Sequence, residues 1–308
     1  MNRPVVVTGA TGRLGAPLVD ALVGAGREVR ALSRRTQPAR TGVQWVVGDL
    51  LDPGAVAALV ADADTVFHVG GQLQGAPSLV ERSLVEGTQI VIQAARAARL
   101  VYVSSLVVLD TRSTPDSSAI DEHSPLEPFP ERRGIYTRAK SSAEAMARAA
   151  AATQDVVIVR PGLVVSSEAT IPPSIGIPIG PAVLLVGPRD AMLPVVHATD
   201  VASGLLCAAA RLESGEIVHL IDPLPVTRVA LLRRLGSGGR SALAIPSGGA
   251  ILALARLAAE SGLPRLSNTG YRLVSAGSRH RWASARAAAL GWRPQALKSW
   301  LAASATPA

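Results

Sequence analysis

A chain of 308 residues that is 48% hydrophobic can bury a large core, and its length suits one big α/β domain with or without a smaller appendage. The net charge of +8 does not mark a nucleic-acid binder, because the basic residues are scattered and nowhere form a Lys/Arg stripe interleaved with aromatics. With a single cysteine, Cys207, no intramolecular disulfide can form, and a cytoplasmic setting is expected.

The opening MNRPVVVTGATG lacks the long apolar stretch and small-residue cleavage site of a signal peptide and reads as a first strand over 4–8. Strand-length apolar runs follow at 28–32, 43–47, 65–69, 100–104, 156–160 and 217–221, separated by Ala/Leu-rich helical stretches. This alternation of βαβ units predicts an α/β fold with a doubly wound parallel sheet. The longest helical stretches, 80–98 and 138–152, carry small apolar residues on more than one face, as helices that pack against a partner do. Two segments break the alternation: 111–134, rich in Ser, Pro and acidic residues, and 171–194, rich in Pro, Gly and branched aliphatics. Both read as loops of the kind that carry function. The expected division is a sheet domain of residues 1–165 plus about 195–222, and a small C-terminal cap of 166–194 plus 223–308. The apolar helical candidate 250–259 is interrupted by Arg256 and is too short to cross a bilayer, so no membrane span is expected.

The first strand runs straight into Gly9-Ala10-Thr11-Gly12-Arg13-Leu14-Gly15 and then an amphipathic helix through Leu18, Leu22 and Val23. Glycines there permit a tight turn and close backbone approach to a pyrophosphate, whose oxygens are drawn to the free N–H groups and dipole at the helix start. The sheet is thus expected to be of Rossmann type and to bind a nicotinamide dinucleotide. After the second strand, where an acidic residue would take the adenosine ribose hydroxyls of NAD, the chain reads Ser33-Arg34-Arg35. The missing carboxylate and the cation Arg34 favour NADP over NAD. Asp49, in Gly48-Asp49-Leu50 after the third strand, is a candidate acceptor for the adenine amino group and equally a candidate helix N-cap.

Tyr136 and Lys140, four apart at a helix start, share one face. A phenol ordinarily titrates near 10, and an adjacent ammonium would favour the phenolate and lower that value into the range of a general acid-base catalyst. The pairing is unusual in a chain with three tyrosines whose 31 basic residues include only two lysines. Ser105 closes the fifth strand at the carboxyl edge, where its hydroxyl could hold a carbonyl oxygen beside Tyr136. Ser104 competes for that part, and either could instead satisfy turn backbone. His68 and His197 are expected to be structural. No His/Cys or carboxylate spacing suggests a metal, and the tryptophans at 282, 292 and 300 read as packing anchors.

Together these residues resemble the extended short-chain dehydrogenase/reductase family, which includes hydroxysteroid dehydrogenases, dihydroflavonol-type reductases and nucleotide-sugar epimerases. The likeness continues through Val66-Phe67-His68-Val69-Gly70-Gly71, Val85-Glu86-Gly87-Thr88, Arg160-Pro161-Gly162, Val196-His197-Ala198-Thr199-Asp200-Val201-Ala202 and Leu290-Gly291-Trp292-Arg293-Pro294. The resemblance implies that Tyr136 protonates the developing alkoxide, that Lys140 lowers its pKa and bonds the nicotinamide ribose, and that Ser105 polarises the carbonyl. It further implies that Val69, Gly70 and Gly71 pass under the cofactor, that Pro161 lines the nicotinamide, and that the two long helices form a homodimer. The chain departs from the family pattern at Leu84, where asparagine is usual, and at Leu109-Asp110, where Tyr-Gly often stands. It also has Leu106 and Val107 after Ser105 instead of the acidic pair of the dehydratases.

The function expected is NADPH-dependent reduction of a ketone or aldehyde, or the reverse oxidation, on a small, fairly apolar molecule held by the cap. The alternatives are a nucleotide-sugar epimerase with tightly bound NAD and a non-catalytic cofactor sensor. The Tyr136/Lys140 pair favours an enzyme over the last.

Overall fold

The computed structural model describes residues 3–72, 75–115, 118–167, 175, 177–179, 182–186, 188–235, 241–245, 249–261, 263, 270 and 279–303. Its main sheet has seven strands: β1 (Val5–Thr8), β2 (Val29–Ser33), β3 (Val43–Val47), β4 (Thr65–His68), β5 (Arg99–Val103), β6 (Val156–Pro161) and β7 (Ile217–Leu220). They lie in the order β3-β2-β1-β4-β5-β6-β7, and every pairing is parallel. Chain order reverses between β1 and β4, the feature that places ligands in such sheets.

Helices cover both faces, as strands with near-continuous apolar runs require. Successive β1 residues serve opposite sides: Val5 and Val7 join a core with Leu18 and Leu22 of α1 (Gly15–Gly24) and Val201 and Leu205 of α5 (Ala198–Arg211). Val6 instead joins Val56 and Leu59 of α2 (Pro53–Val60), Val91 of α3 (Pro77–Ala94) and Ala143 and Ala147 of α4 (Ile135–Ala150). The observed strands match the expected ones to within a residue at each end. The two long helices begin three residues earlier than expected, because Pro77 is well suited to a first helical turn and Gly134, at φ +99°, lets the chain enter α4 abruptly.

The two irregular segments are more ordered than their composition suggests. Within 111–134, Ala119–Ile120 pairs in parallel with Arg281–Trp282, and Pro130–Arg133 forms a 3-10 turn. The Arg133 guanidinium there donates to the carbonyls of Val107 (3.1 Å) and Leu109 (3.0 Å), tying the approach to α4 to the turn after β5. Within 171–194, Ile177–Ile179 and Ala182–Val186 are antiparallel strands, and the second pairs with Ser241–Ile245. Residues 171–174, 176, 180, 181 and 187 lie outside the described residues. The chain continues as α6 (Arg228–Leu235) and α7 (Gly249–Glu260), and among the described residues no helix is long and apolar enough to cross a membrane.

Asp200, one residue of the Val196–Ala202 motif, anchors the C-terminus. Its buried carboxylate accepts from the backbone N–H groups of Gln295 (2.8 Å), Ala296 (3.0 Å) and Leu297 (3.1 Å), capping the helix Ala296–Ala302 from α5. Trp292 donates its indole N–H to the Asp200 carbonyl at 3.0 Å, and Trp292 and Trp300 are buried packing anchors, as expected.

Candidate active site

The crevice beyond the carboxyl ends of β1 and β4 is built by glycines that admit no side chain. Gly9 turns at φ +68°, and a Cβ on it would stand 2.6 Å from the Cα of Gly70. A Cβ on Gly15 would stand 2.0 Å from the Gly9 carbonyl oxygen, so the turn and the start of α1 are in backbone contact. The Gly12 N–H closes the loop onto Gly9 O at 2.9 Å. Leu14 is the N-cap of α1 and supplies no side-chain bond, so the positive end of the helix faces the glycine turn without a side-chain acceptor of its own. Thr11, Gly12 and Arg13 are exposed along the lip. These features fit a dinucleotide pyrophosphate.

The opposite wall is Val69-Gly70-Gly71. Gly71, at φ +148°, packs so closely on Leu84 that a Cβ would meet its side chain at 2.4 Å. Leu84, standing where the family usually has asparagine, therefore supports this wall by apolar contact. A chain of hydrogen bonds fixes the wall to the turn, and its directions can be assigned from donors and acceptors. Thr88 Oγ1 donates to the Leu84 carbonyl (2.6 Å), so it accepts from His68 Nε2–H (3.0 Å). His68 Nδ1 then accepts from Thr8 Oγ1 (2.7 Å), which itself accepts the Gly70 N–H (3.2 Å). Only neutral His68 satisfies this chain, and burial, followed by the charge of Lys140, pushes its pKa down to about 3. His68 is thus structural, as is His197, whose ring accepts the Thr199 N–H at the start of α5.

At the adenosine end, Ser33 closes a turn by donating to the Arg35 carbonyl (2.7 Å) and accepting its N–H (3.2 Å). Arg34 is exposed and reaches over to Gln72 Oε1 at 3.1 Å. The structure removes one reading of Asp49: the N-cap of α2 is Asp52, which accepts from Gly54 and Ala55, because Pro53 sets the first helical turn right after it. The exposed Asp49 carboxylate accepts the Leu51 N–H, at 2.8 Å. The Leu50 side chain is turned inward against Gly87 of α3.

Beyond β5 the chain and α4 meet in register. Lys140 Nζ donates to Val103 O at 2.8 Å, Ser104 Oγ donates to Glu144 Oε2 at 2.6 Å, and the Ser105 hydroxyl acts on the Tyr136 phenol, opposing the rise of its pKa. Three consecutive residues thus meet three side chains spaced four apart on one helix face. Ser105 also caps the 3-10 turn Leu106–Val108. The Ser104 hydroxyl is committed to Glu144. Pro161 ends β6, buried.

One expectation is corrected. Burial raises the Tyr136 pKa, opposed by the Ser105 hydroxyl, where lowering by Lys140 was expected; the Lys140 ammonium donates to Val103 O and lies 5.2 Å from the centre of the Tyr102 ring. Burial also brings Lys140 itself down to about 8, opposed by Glu144. The site therefore holds a protonated phenol at neutral pH. Sequence reasoning missed Glu144 and its buried partner Arg160, although a carboxylate four residues past Lys140 on the same face is a readable sign. Among the described residues no His/Cys/Asp/Glu group could hold a metal ion.

Residues 5–220 match the NAD dependent epimerase/dehydratase family. The chain is 32% identical over 235 residues to a 4-hydroxy-2-methyl-3-oxo-4-farnesyl-3,4-dihydroquinoline-1-oxide ketoreductase of Stigmatella aurantiaca, covering 71% of this chain and 68% of that one. It is 36% identical over 169 residues to a 2-alkyl-3-oxoalkanoate reductase of Stenotrophomonas maltophilia, where it spans 52% of this chain and half of the relative's length (50%). The crystal structure of gox2253 superposes with a TM-score of 0.77 at 25% identity, covering 97% of this chain and 96% of that one.

Proposed function

The chain belongs to the NAD dependent epimerase/dehydratase family, an extended short-chain dehydrogenase/reductase, and from that premise we propose that it reduces a ketone or aldehyde on a small, fairly apolar substrate with NADPH as preferred coenzyme. The observation that carries this reading is the docking of α4, which bears Tyr136 and Lys140, on the end of β5: Lys140 Nζ donates to Val103 O at 2.8 Å, two residues before Ser105, whose hydroxyl opposes the rise that burial causes in the Tyr136 pKa. When bound, the nicotinamide coenzyme supplies the hydride for reduction.

The chain's own groups do the rest. A substrate carbonyl oxygen takes the place between the Ser105 and Tyr136 hydroxyls, where Ser105 polarises it and Tyr136 gives its proton to the developing alkoxide. Because burial keeps the phenol protonated, the resting site is prepared to act as an acid, which is the need of reduction. Lys140, charged below about pH 8, opposes the negative charge left on the phenolate and refills its proton. Gly9, Thr11, Gly12, Arg13, Leu14, Gly15, Gly70 and Gly71 would hold the pyrophosphate and its flanks, Asp49 the adenine, Val69 and Pro161 the nicotinamide side, and Arg34 a 2′-phosphate. Support for NADP is the absence of a carboxylate at the end of β2, next to Ser33 and Arg34. The apolar substrate rests on the composition of 171–194, and on exposed Leu126 and Phe129 before Tyr136. We place the enzyme in the cytoplasm, as a homodimer formed through α3 and α4, which light scattering would test.

The experiment is a titration with NADPH and NADH beside a screen of apolar carbonyl compounds that follows the reduced nicotinamide. Turnover should fall about 10²–10⁴-fold in Tyr136→Phe. NADPH preference should weaken in Arg34→Ala. Tightly retained NAD with no net coenzyme consumption would instead identify an epimerase.

A further inference from the structure

Glu144 is the anion at the centre of a buried assembly just behind the site. Its side chain is almost wholly enclosed, and both oxygens are saturated: Arg160 Nε (3.0 Å) and Ser104 Oγ (2.6 Å) on Oε2, Arg160 Nη2 (2.5 Å) and Arg148 Nε (3.0 Å) on Oε1. Arg160 is fully buried in β6, between β5 and β7. Burial of such a pair seldom stabilises a fold more than apolar side chains of the same volume would, so its position asks for another explanation. Glu144 lies one turn beyond Lys140 and two beyond Tyr136, and its partner Ser104 stands between Val103, which binds Lys140, and Ser105, which acts on the Tyr136 phenol.

We propose that Glu144, held charged by Arg160, is a positioning residue that keeps Lys140 an ammonium in its buried place; the inference rests on the role given to Lys140 above. The other groups around the two do not supply a negative charge. Lys140 is faced by neutral His68 from β4 and by Tyr102 from β5, whose phenol is pushed well up by burial; Tyr136 lies one turn before it on the same helix. Glu144 is faced by Arg160 from β6, His219 from β7, pushed down to about 3 chiefly by burial, and Arg148 from its own helix. The charges on neighbouring elements pair elsewhere, Glu81 of α3 with Arg138 and Glu127 with Arg133. Glu144 is therefore the carboxylate that offsets the cost of burying the lysine charge.

The chain has two lysines, Lys140 and exposed Lys298, so ¹³Cε-lysine NMR reads each titration directly, with Lys298→Arg as the assignment control. In Glu144→Gln the Lys140 midpoint should move about one pH unit lower, and the upper limb of the kcat profile for carbonyl reduction should move with it while KM stays within about twofold. Should the uncompensated arginine unfold that variant, Glu144→Gln/Arg160→Met removes both charges and should show a smaller shift of the same sign. A Lys140 midpoint within about 0.2 pH units of wild type in the folded variant would overturn the proposal. A shifted lysine signal with an unmoved kcat profile supports the coupling and overturns instead the part given to Lys140 in turnover.

Discussion

Lys140 Nζ lies 2.8 Å from the carbonyl oxygen of Val103, so the one buried ammonium described in the sheet domain is tied to the strand whose next two residues are Ser104 and Ser105. Burial drives its pKa from 10.5 down to about 8. Between those values the folded chain binds fewer protons at this site than the unfolded one, so stability should rise with pH from about 8 to about 10.5. Below pH 8 the fold carries the full cost of the buried charge. Lys140→Met should therefore melt at a higher temperature than wild type at pH 7, by the equivalent of about 1–3 kcal/mol, with the gap closing toward pH 10. Its turnover should be at least about 10²-fold lower. Thermal melts from pH 7 to 10 measure the first effect, and a gap constant with pH would show that Lys140 does not titrate as described.

The glycine cradle makes a second prediction. A methyl group at Gly15 would occupy space 2.0 Å from Gly9 O and 2.7 Å from the Ala10 Cα, both backbone atoms that cannot swing aside. Gly15→Ala should thus displace the turn that faces the pyrophosphate and weaken dinucleotide binding about 100-fold or more, with a circular dichroism spectrum close to wild type. Gly24→Ala is the control, since a Cβ there would have nothing within 4 Å and the variant should bind normally. Equal binding by both variants would remove the turn from the cofactor site.

What could be read from the sequence was local in the chain. The seven strands, the glycine turn and the Tyr136/Lys140 pair follow from periodicity and spacings of a few residues, which parallel βαβ units preserve in three dimensions. What could not be read was chosen by tertiary contact: Ser104 meets Glu144 from 40 residues away, His68 meets Thr8 from 60, and Asp200 meets Leu297 from 97. The lowered phenol pKa expected at Tyr136 failed for a related reason, since helix spacing brings Lys140 near but does not reveal how deeply the fold buries the phenol. The short strand in 111–134 was hidden because its partner, Arg281–Trp282, lies far along the chain, as does Ser241–Ile245, the second partner of Ala182–Val186.

His68 and His219 make the fold acid-sensitive before its carboxylates titrate. Both are held near pKa 3, chiefly by burial, whereas an unfolded histidine titrates near 6.5, so the unfolded chain binds more protons as pH drops through 6.5. Stability is fully present above that value and is lost on the way down toward 3. Each histidine should contribute a slope of up to about 1.4 kcal/mol per pH unit. Urea unfolding at pH 7, 6 and 5 should show the loss, and His68→Asn should flatten it even where the variant is less stable at pH 7. An unchanged slope in that variant would mean that His68 accepts a proton within the fold.

Asp200 offers the sharpest test of how the C-terminus is held. Its carboxylate takes three consecutive N–H groups at the start of the helix Ala296–Ala302, and no side chain of that helix's own N-cap residue, Gln295, does the work. Ordinary caps contribute about 1 kcal/mol, and a buried, charged one that meets three donors should exceed that, so Asp200→Ala is expected to cost about 2–3 kcal/mol. Asp200→Asn keeps an acceptor oxygen but loses charge and one acceptor, and should fall between alanine and wild type. Because Trp292 also leans on Asp200 through its carbonyl, which both substitutions retain, the tryptophan environment should change little while the final helix becomes easier to cleave. Limited proteolysis followed by mass measurement reads the cleavage, and denaturant unfolding reads the order wild type, asparagine, alanine; equal stability of all three would show that the helix Ala296–Ala302 is held by the burial of Leu297 and Trp300 alone.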